Sequence, residues 1–324
     1  MSEQKEFSIT WGGRTLSISV GQLAQQANGS CVVRYGDTVV LCAATMGGVR
    51  EGLDFFPLQV DFEERMYAAG RIKGSRFIKR EGRPTDEAIL SGRLIDRAIR
   101  PLFDDRMRND IAVVATVFSH DGENDGDVPG LIGSACALAI SDIPWNGPTA
   151  AVRIGRKEGQ LVLNPTYSEV NTGDLDLVVA GGNGKTIMLE AGAGQVSEND
   201  MEAAIAWAHE QIAPVVDLIS KVQAAVGKKK IEPFAPKTDE QRADIAAREE
   251  LHKTAREFMK SAEATTLFAQ PLMTKADRKA AVAKLKAALE VNLTEKQLSK
   301  ENKKIAMEIV DEFADAEVSR MILE

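Results

Sequence analysis

The hydrophobic pattern of the first 226 residues alternates between strand-like and helix-like periods. Strict alternation in TLSISV (residues 15–20) predicts a strand, and Gly12-Gly13 predicts the turn of a hairpin whose first strand starts near residue 7. Further apolar, β-branched runs predict strands over residues 31–35, 38–44, 53–62, 111–118, 150–156, 161–164, 175–180 and 186–190. This mixture predicts an α+β layer fold.

Three segments of the same region carry apolar residues at helical spacing. Residues 85–100 lie between two prolines, which predicts a helix with well-defined ends. The small residues of 131–140 predict a helix that packs closely against its neighbours. Residues 198–225 predict a long helix, which Pro214 should kink or in which it should interrupt one hydrogen bond.

The pattern changes after residue 226. The stretch GKKKIEPFAPKTDE (227–240) holds a run of lysines and two prolines, so residues 227–238 are predicted to be a linker. Residues 239–324 contain no glycine and are rich in Ala, Lys and Glu. Their spacing predicts a small all-helical domain, with helices over 239–262, 275–290 and 295–322.

The composition is that of a folded protein with enough apolar material for a core. The 324 residues are 44% hydrophobic and 27% charged, which excludes a disordered or collagen-like chain and predicts about two domains. No apolar run reaches the roughly 18 residues of a membrane span, and no secretory signal is present, so we expect a cytoplasmic protein. Cys31, Cys42 and Cys136 have no metal-ligand spacing and are expected to be buried, reduced thiols.

Charge adds the first indication of function. The net charge of −8 excludes a uniformly basic protein, so a basic site must be local. Residues 65–108 hold twelve Lys or Arg against six Asp or Glu, and GRIKGSRFIKREGRP (70–84) is the densest part. Cations that neutralise phosphates, together with the ring of Phe77, suit single-stranded nucleic acid. The alternative is a solvated loop with no ligand.

The predicted helix behind this loop extends the basic surface. Arg93, Arg97 and Arg100 are spaced by four and three residues, which places them on one helix face. The alternative is that these arginines form pairs within the helix, such as Arg100 with Asp96.

Two segments begin like ligand-binding loops, but each lacks a residue that the corresponding motif requires. HDGENDGDVPG (120–130) starts like a calcium loop, but its bidentate Glu would fall at Ile132, so a solvated turn before a helix is favoured over a metal site. VVAGGNGKTIML (178–189) contains Gly-Lys-Thr of a phosphate-binding loop. Its first glycine would fall at Val179, and Asn183-Gly184 between two apolar runs predicts a hairpin instead.

Three long segments carry a resemblance to a known family. Residues 54–103, which include the basic loop, closely resemble the first core of bacterial polynucleotide phosphorylases (polyribonucleotide nucleotidyltransferases), as do residues 162–182 and 192–212. The resemblance extends over residues 1 to about 230 and implies a ribonuclease PH-like core over 1–226, followed by an all-α domain. We therefore expect an N-terminal fragment, without the second core and the KH and OB-type RNA-binding modules of the family.

The resemblance also implies an activity for the whole enzyme. Members of the family degrade RNA processively from the 3′ end by phosphorolysis: inorganic phosphate, the co-substrate, attacks the terminal phosphodiester and releases nucleoside diphosphates. They form homotrimers around a channel for single-stranded RNA and use magnesium, whose ligands are expected in the missing second core. Roles in mRNA degradation and RNA processing, with partners in an RNA-degradation complex, are implied too.

By the same comparison, this first core is expected to be catalytically silent. The serine-rich turn that holds phosphate in the active core corresponds to residues 125–127, whose carboxylates would repel phosphate. Of the two Asp and one Lys of the active core, only Asp176 is retained; Val170 and Val178 stand at the other two positions. We therefore expect no metal site and no complete catalytic set in this chain.

The basic loop is the part that carries over, since the family's corresponding loop lines the RNA channel. The residues expected to contact RNA, from the loop and the helix together, are Arg76, Phe77, Ile78, Lys79, Arg80, Arg83, Arg93, Arg97 and Arg100. Ile78 and Lys79 depart from the family's paired aromatics and paired arginines, which removes one stacking face and one bidentate donor.

Two alternative functions stay open at this point. The chain could be a purely structural, oligomer-forming module with negligible affinity for RNA. It could instead be an active, stand-alone ribonuclease PH-like exoribonuclease whose phosphorolysis depends on Asp176.

Overall fold

A computed structural model describes residues 4–49, 52–53, 55–72, 82–234, 239–261 and 274–323. The chain folds as two units, residues 1–233 and residues 234–324. In the described part, the strands belong to the first unit, and the second unit is all-helical. The α+β class with a helical addition is therefore confirmed.

Six strands form the larger sheet of the first unit. They are β1 (Lys5–Trp11), β2 (Arg14–Val20), β3 (Gly29–Tyr35), β4 (Thr38–Val49), β5 (Leu58–Glu63) and β6 (Asn109–Ser119). Their order is β1-β2-β3-β4-β6-β5, and the neighbours are antiparallel except for β5, which runs parallel to β6. The crossover that a parallel pair requires contains helix α1 (Asp86–Ile99).

Four antiparallel strands form the second sheet, in the order β10-β9-β7-β8. They are β7 (Ala150–Lys157), β8 (Gln160–Leu163), β9 (Leu175–Gly182) and β10 (Lys185–Ala193). Asn183 and Gly184 join β9 to β10 with φ angles of 53° and 72°, the two positive values of a type I′ turn. The predicted hairpin is confirmed at the position where the sequence imitates a phosphate-binding loop.

Helix α2 (Asp127–Ile140) lies at the centre of this unit. All fourteen of its residues are buried, and it contacts β3 and β4 of the first sheet and β7 of the second. A Cβ atom at Gly133 would lie only 2.5 Å from the sulfur of Cys42, so the absence of a side chain permits the close approach. The predicted close packing of this small-residue helix is thus confirmed.

Two further helices complete the unit. They are α3 (Tyr167–Thr172) and α4 (Glu198–Val226), and α4 packs on β1, β7 and β9. The Thr85 hydroxyl caps α1 by accepting the Ala88 N–H at 3.0 Å, so the helix begins where the sequence predicts. Pro214 lies inside α4, which continues through it.

Two predicted boundaries in the first unit are wrong. The strand predicted over 53–62 begins only at Leu58, because Pro57 precedes it and has no N–H for the sheet. Helix α2 begins at Asp127, four residues before its predicted start. The acidic run is a turn before a helix, as predicted, but it is only partly solvated: Gly122 and Glu123 are exposed, whereas Asn124 and Asp127 are only 5% and 3% exposed.

The start of the predicted linker is bound to the first unit. The N–H of Lys228 donates to the carbonyl of Ile140 at 2.9 Å, and the N–H of Ile231 donates to that of Asp142 at 2.8 Å. The Lys230 ammonium donates to two carbonyls at the end of α2, at 2.6 and 2.9 Å, and burial lowers its pKa to about 8. Residues 235–238 of the predicted linker lie outside the described residues.

The second unit has its own apolar core. In the residues that the structure describes there, the helices are α5 (Asp239–Met259), α6 (Lys275–Glu295), α7 (Lys300–Met307) and α8 (Ile309–Leu323). Leu285, Leu289 and Leu293, spaced by four along α6, are fully buried. The single helix predicted over 295–322 is wrong, since Glu308, whose N–H donates to the Ile305 carbonyl at 3.2 Å, separates α7 from α8.

The three cysteines are buried with free thiols in the first unit, as predicted. Within the described part of the chain, none of the helices has the length and apolar character that crossing a membrane requires.

Candidate functional site

One arginine and three carboxylates meet at the N-terminal end of α2. Strand β7 supplies Arg153, whose guanidinium lies 2.8 Å from Asp127 and 3.3 Å from Asp125. Its Nε lies 3.6 Å from Asp176 on the neighbouring strand β9. The Arg153 side chain is only 16% exposed, so this cluster is largely withdrawn from water. We call these four residues the Arg153 cluster.

The electrostatics of the Arg153 cluster follow from its burial and from its excess of negative charge. Burial and the neighbouring charge of Asp125 raise the pKa of Asp127 to about 6, although Arg153 acts in the opposite direction. Burial disfavours the charged guanidinium, but attraction to Asp127, Asp125 and Asp176 raises the pKa of Arg153 overall. Arg153 is therefore a permanent cation shared among three carboxylates.

The cluster contains every carboxylate that the sequence assigns to the phosphate and catalytic positions. Asp176, the only equivalent that the resemblance predicts to be retained, lies 3.6 Å from Arg153. Val178 is only 4% exposed and belongs to the apolar core, and Val170 lies on α3. Because a guanidinium already lies among these carboxylates, they do not fit a magnesium ion. Over the ranges that the structure describes, no group of three or more His, Cys, Asp or Glu residues is arranged to hold a metal.

The calcium-like start of the acidic run organises its own turn. The carboxylate of Asp121 accepts the N–H of Asn124 at 2.7 Å, that of Glu123 at 2.9 Å and that of Asp37 at 3.2 Å. It also accepts the Asn124 side-chain amide at 2.5 Å. Partial burial opposes the charge of Asp121, but these donors lower its pKa to about 2. Both carboxylate oxygens of Asp121 thus accept hydrogen bonds from groups of the protein itself.

A cavity of about 440 Å³ opens beside the Arg153 cluster. Asp125 belongs to the cluster and also lines the cavity. The cavity lies at the carboxyl ends of the parallel strands β5 and β6, where α1 and α2 also begin. Its apolar lining includes Phe62, Met66 and Val117. A second cavity of about 250 Å³ shares Phe62 and Met66 and adds Arg83. In open α/β sheets, ligands commonly bind outside the carboxyl ends of parallel strands, and β5 and β6 form such a parallel pair.

His120 and Tyr167 form an aromatic pair in the lining of the larger cavity. Their ring centroids are 6.0 Å apart with an interplanar angle of 29°. His120 Nδ1 accepts the Gly122 N–H at 3.0 Å, so the ring proton is on Nε2, which donates to the Tyr167 hydroxyl at 3.3 Å. Sequence reasoning missed this pair, because the two residues are 47 positions apart and belong to no common motif.

The predicted RNA-binding arginines do not all lie together. Arg93 and Arg97 are exposed on α1, and Arg97 pairs with Glu190 at 3.1 Å. Arg100 instead pairs with Asp96 at 2.6 Å, the alternative that the helical spacing left open. Arg83 is exposed and lines the second cavity.

Arg100 has two further contacts that hold its guanidinium in place. It donates to the carbonyl of Leu58 at 3.1 Å, and it lies 5.8 Å from the ring centroid of Phe56. The remaining members of the predicted set lie outside the described residues; they are Arg76, Phe77, Ile78, Lys79 and Arg80.

Comparison with known families assigns the first unit. Residues 12–144 match domain 1 of the 3′ exoribonuclease family, and residues 147–211 match domain 2 of the same family. Both the Arg153 cluster and the larger cavity take residues from each of these two domains.

The chain is also similar to several bacterial proteins named polyribonucleotide nucleotidyltransferase. The protein from Halalkalibacterium halodurans is 48% identical over 252 residues, covering 77% of this chain and 36% of the relative. The protein from Bacillus subtilis is 41% identical over 322 residues, covering 99% of this chain and 44% of the relative. This chain thus spans less than half the length of these relatives.

Among solved structures, the crystal structure of rice (Oryza sativa) Rrp46 has a similar fold. The TM-score is 0.50 at 16% sequence identity, and the match covers 68% of this chain and 94% of the rice chain. At this identity the similarity shows the fold alone, and it confirms the ribonuclease PH-like architecture of the first unit.

Proposed function

Because this chain belongs to the 3′ exoribonuclease family, we propose that it supplies the RNA-contacting, non-catalytic core of an enzyme that degrades RNA by 3′-to-5′ phosphorolysis. The relatives named polyribonucleotide nucleotidyltransferase support this reaction for the whole enzyme. The observation that supports a silent core is the Arg153 cluster, whose one cation is already paired with three carboxylates.

The charge of the cluster opposes phosphorolysis at this place. The attacking phosphate and the reacting phosphodiester are both anions, and their transition state needs cations positioned against the developing charge. A phosphate that approached residues 125–127 would meet the carboxylates of Asp125 and Asp127, which outnumber Arg153. We place the magnesium and the catalytic groups of the whole enzyme outside this chain, and we derive no chemical step here.

RNA contact is supported by exposed cations in a chain of net charge −8. Arg83, Arg93 and Arg97 are exposed on the crossover between β5 and β6, the region in which the local charge is positive. Contacts of this kind go to phosphates, so binding should tolerate any sequence and weaken with salt. In this role the core holds the RNA strand and the catalytic groups elsewhere cut it.

The wider assignments rest on the family resemblance. We propose that the full-length enzyme is a homotrimer with single-stranded RNA in its channel, that it acts in the cytoplasm in mRNA degradation, and that inorganic phosphate is its co-substrate. The likeness to the bacterial relatives supports these proposals.

Binding and chemistry are tested on the same preparation. We expect the purified chain to bind a fluorescent oligoadenylate by anisotropy, with an affinity that falls steeply as salt rises. The double variant Arg93→Ala, Arg97→Ala should bind several-fold more weakly and show a smaller salt slope. The double variant Arg242→Ala, Arg256→Ala removes the same charge from the exposed face of α5 and should bind like the wild type.

Phosphate and magnesium are then added, and the products are separated by chromatography. Release of nucleoside diphosphate that is lost in Asp176→Asn would overturn the silent core and favour the stand-alone enzyme. Absence of any RNA affinity at low salt would favour the purely structural module.

A further inference from the structure

We propose that the cavity lined by His120 and Tyr167 binds one nucleotide of a single-stranded RNA without cleaving it. The proposal rests on the proposed function, since RNA must reach this face of the core. It adds a specific binding site to the general attraction by the exposed arginines of the crossover.

The cavity has the size and the lining that a nucleotide needs. Its volume of about 440 Å³ lies within the range of small-ligand sites, roughly 300 to 1,000 Å³. Phe62, Met66 and Val117 give it an apolar surface, and the His120–Tyr167 pair gives it aromatic rings. Tyr167 is 38% exposed, so part of its ring is open to a ligand. Bases stack on such rings largely irrespective of sequence.

Positive charge lies at the edge of the same cavity. Arg71 lines it and is exposed, so its guanidinium can reach a phosphate. Arg65 lines it too and is held by Glu63 at 2.5 Å. The lining carboxylates are Glu64 and Asp125: Glu64 accepts the Thr85 hydroxyl at 2.7 Å, and Asp125 is paired with Arg153 at 3.3 Å. An aromatic surface beside arginine is the combination that recognises a base with its phosphate.

The neighbouring cavity favours a strand over a free nucleotide. It has a volume of about 250 Å³, and its lining includes Phe62, Arg65, Met66 and Thr85 of the first cavity. It adds Arg83, an exposed cation next to the shared residues. A nucleotide bound in the larger cavity would therefore have a route by which its chain continues, with a phosphate near Arg83. A free nucleoside diphosphate would leave this route unused.

The test compares Tyr167→Ala with Tyr167→Phe in the 324-residue chain. Both variants lose the hydroxyl contact with His120, but only the alanine loses the ring. We expect Tyr167→Ala to weaken binding of a fluorescent oligoadenylate about tenfold, and Tyr167→Phe to bind like the wild type. Thermal melting monitored by circular dichroism establishes that both variants are folded. A 4-thiouridine oligonucleotide, cross-linked by light and mapped by mass spectrometry, should form adducts at residues 66–69 or 167.

The outcomes separate this inference from the proposed function. RNA that binds equally well to Tyr167→Ala, with adducts only elsewhere, overturns the cavity site and leaves the RNA-contacting core intact. RNA that binds to none of the proteins overturns both proposals. ADP is titrated as a separate ligand: if it binds in a Tyr167-dependent way while RNA forms no adduct at the cavity, the assignment to an RNA strand is wrong.

Discussion

Arg153 is the residue on which the charge balance of the first unit depends most. Three carboxylates lie within 2.8 to 3.6 Å of one guanidinium, so this largely buried cluster carries a net negative charge. In such a place, protonating one carboxylate relieves the repulsion among the three. Asp127 is the most buried of them and is therefore the one that takes the proton, with a pKa of about 6.

The raised pKa of Asp127 predicts a pH dependence of stability with a definite sign. Between its ordinary pKa of 3.8 and about 6, the folded state binds a proton that the unfolded state has lost. This contribution to the free energy of unfolding is complete at low pH and is lost as the pH rises towards 6. Asp127→Asn removes the titration. We expect the stability of the variant, measured by urea denaturation, to rise relative to the wild type by about 1 kcal/mol per pH unit over this range.

Asp174→Asn provides a control of opposite sign. The hydrogen bonds from Arg156 lower the pKa of Asp174, so its contribution is lost as the pH falls. Relative to the wild type, this variant should lose stability as the pH rises towards the ordinary pKa of 3.8, and the difference should stay nearly level from there to pH 6. A flat difference for Asp127→Asn between pH 4 and pH 6 would contradict the raised pKa.

Sequence reasoning identified part of this residue-scale picture. The carboxylates of residues 125–127 and the isolated Asp176 were visible as a departure from the active pattern. The role of Arg153 was not visible. Strand pairing brings it beside Asp176, and the fold brings it to the start of α2, and no local sequence motif encodes either contact. The cavity was missed for the same reason, since its lining comes from separate segments of the chain.

At the scale of elements, α2 determines how closely the two sheets can approach. The helix is buried on all sides, so its glycines are contact surfaces and not flexible points. Gly133 faces Cys42, and a Cβ there would also lie 3.0 Å from Val33. Side chains of the paired strands β3 and β4 already occupy the space that a larger residue at position 133 would need.

We expect Gly133→Ala to destabilise the protein by about 1–3 kcal/mol, because overpacking outweighs the better helix propensity of alanine. Urea denaturation followed by tryptophan fluorescence measures the loss. Gly48→Ala is the matched control: Gly48 has open space around it and no positive φ, so its substitution should be neutral or slightly stabilising. Equal effects of the two changes would show that the Gly133 contact is not tight.

The elements themselves were largely predictable, and the errors have local causes. Alternation and apolar runs located the strands within a few residues, because one-sided burial imposes a period of two. The start of α2 was missed because Gly126 and Pro129 are typical of a turn, although a proline is tolerated in the first helical turn. The interruption at Glu308 carries no proline or glycine that would have indicated it.

At the scale of the whole molecule, the two units contain separate apolar clusters. The first cluster includes Trp11, Trp145 and, at its edge, Trp207. The second is built from residues 251–314 and contains no tryptophan. Tryptophan fluorescence therefore reports the first unit alone, while far-ultraviolet circular dichroism reports the helices of both.

This division predicts that unfolding has two stages. Leu289→Ala in the second unit, where Leu289 is fully buried, should cost about 2–5 kcal/mol locally and shift part of the circular dichroism transition while the fluorescence transition stays in place. Leu138→Ala in α2 should shift the fluorescence transition together with the part of the circular dichroism transition that belongs to the first unit. Coincident shifts of both signals in both variants would show that the chain unfolds as one cooperative body.

The Arg153 cluster also bears on how this core could change over time. A single substitution that restored a lysine at Val178 would bury an ammonium in the apolar core, and one that removed Arg153 would leave three carboxylates to repel one another. Each of these two substitutions is therefore expected to give a less stable protein. For the non-catalytic core that we propose, both changes carry a cost in stability, so the Arg153 cluster would keep the core in that state while its surface specialises in holding RNA.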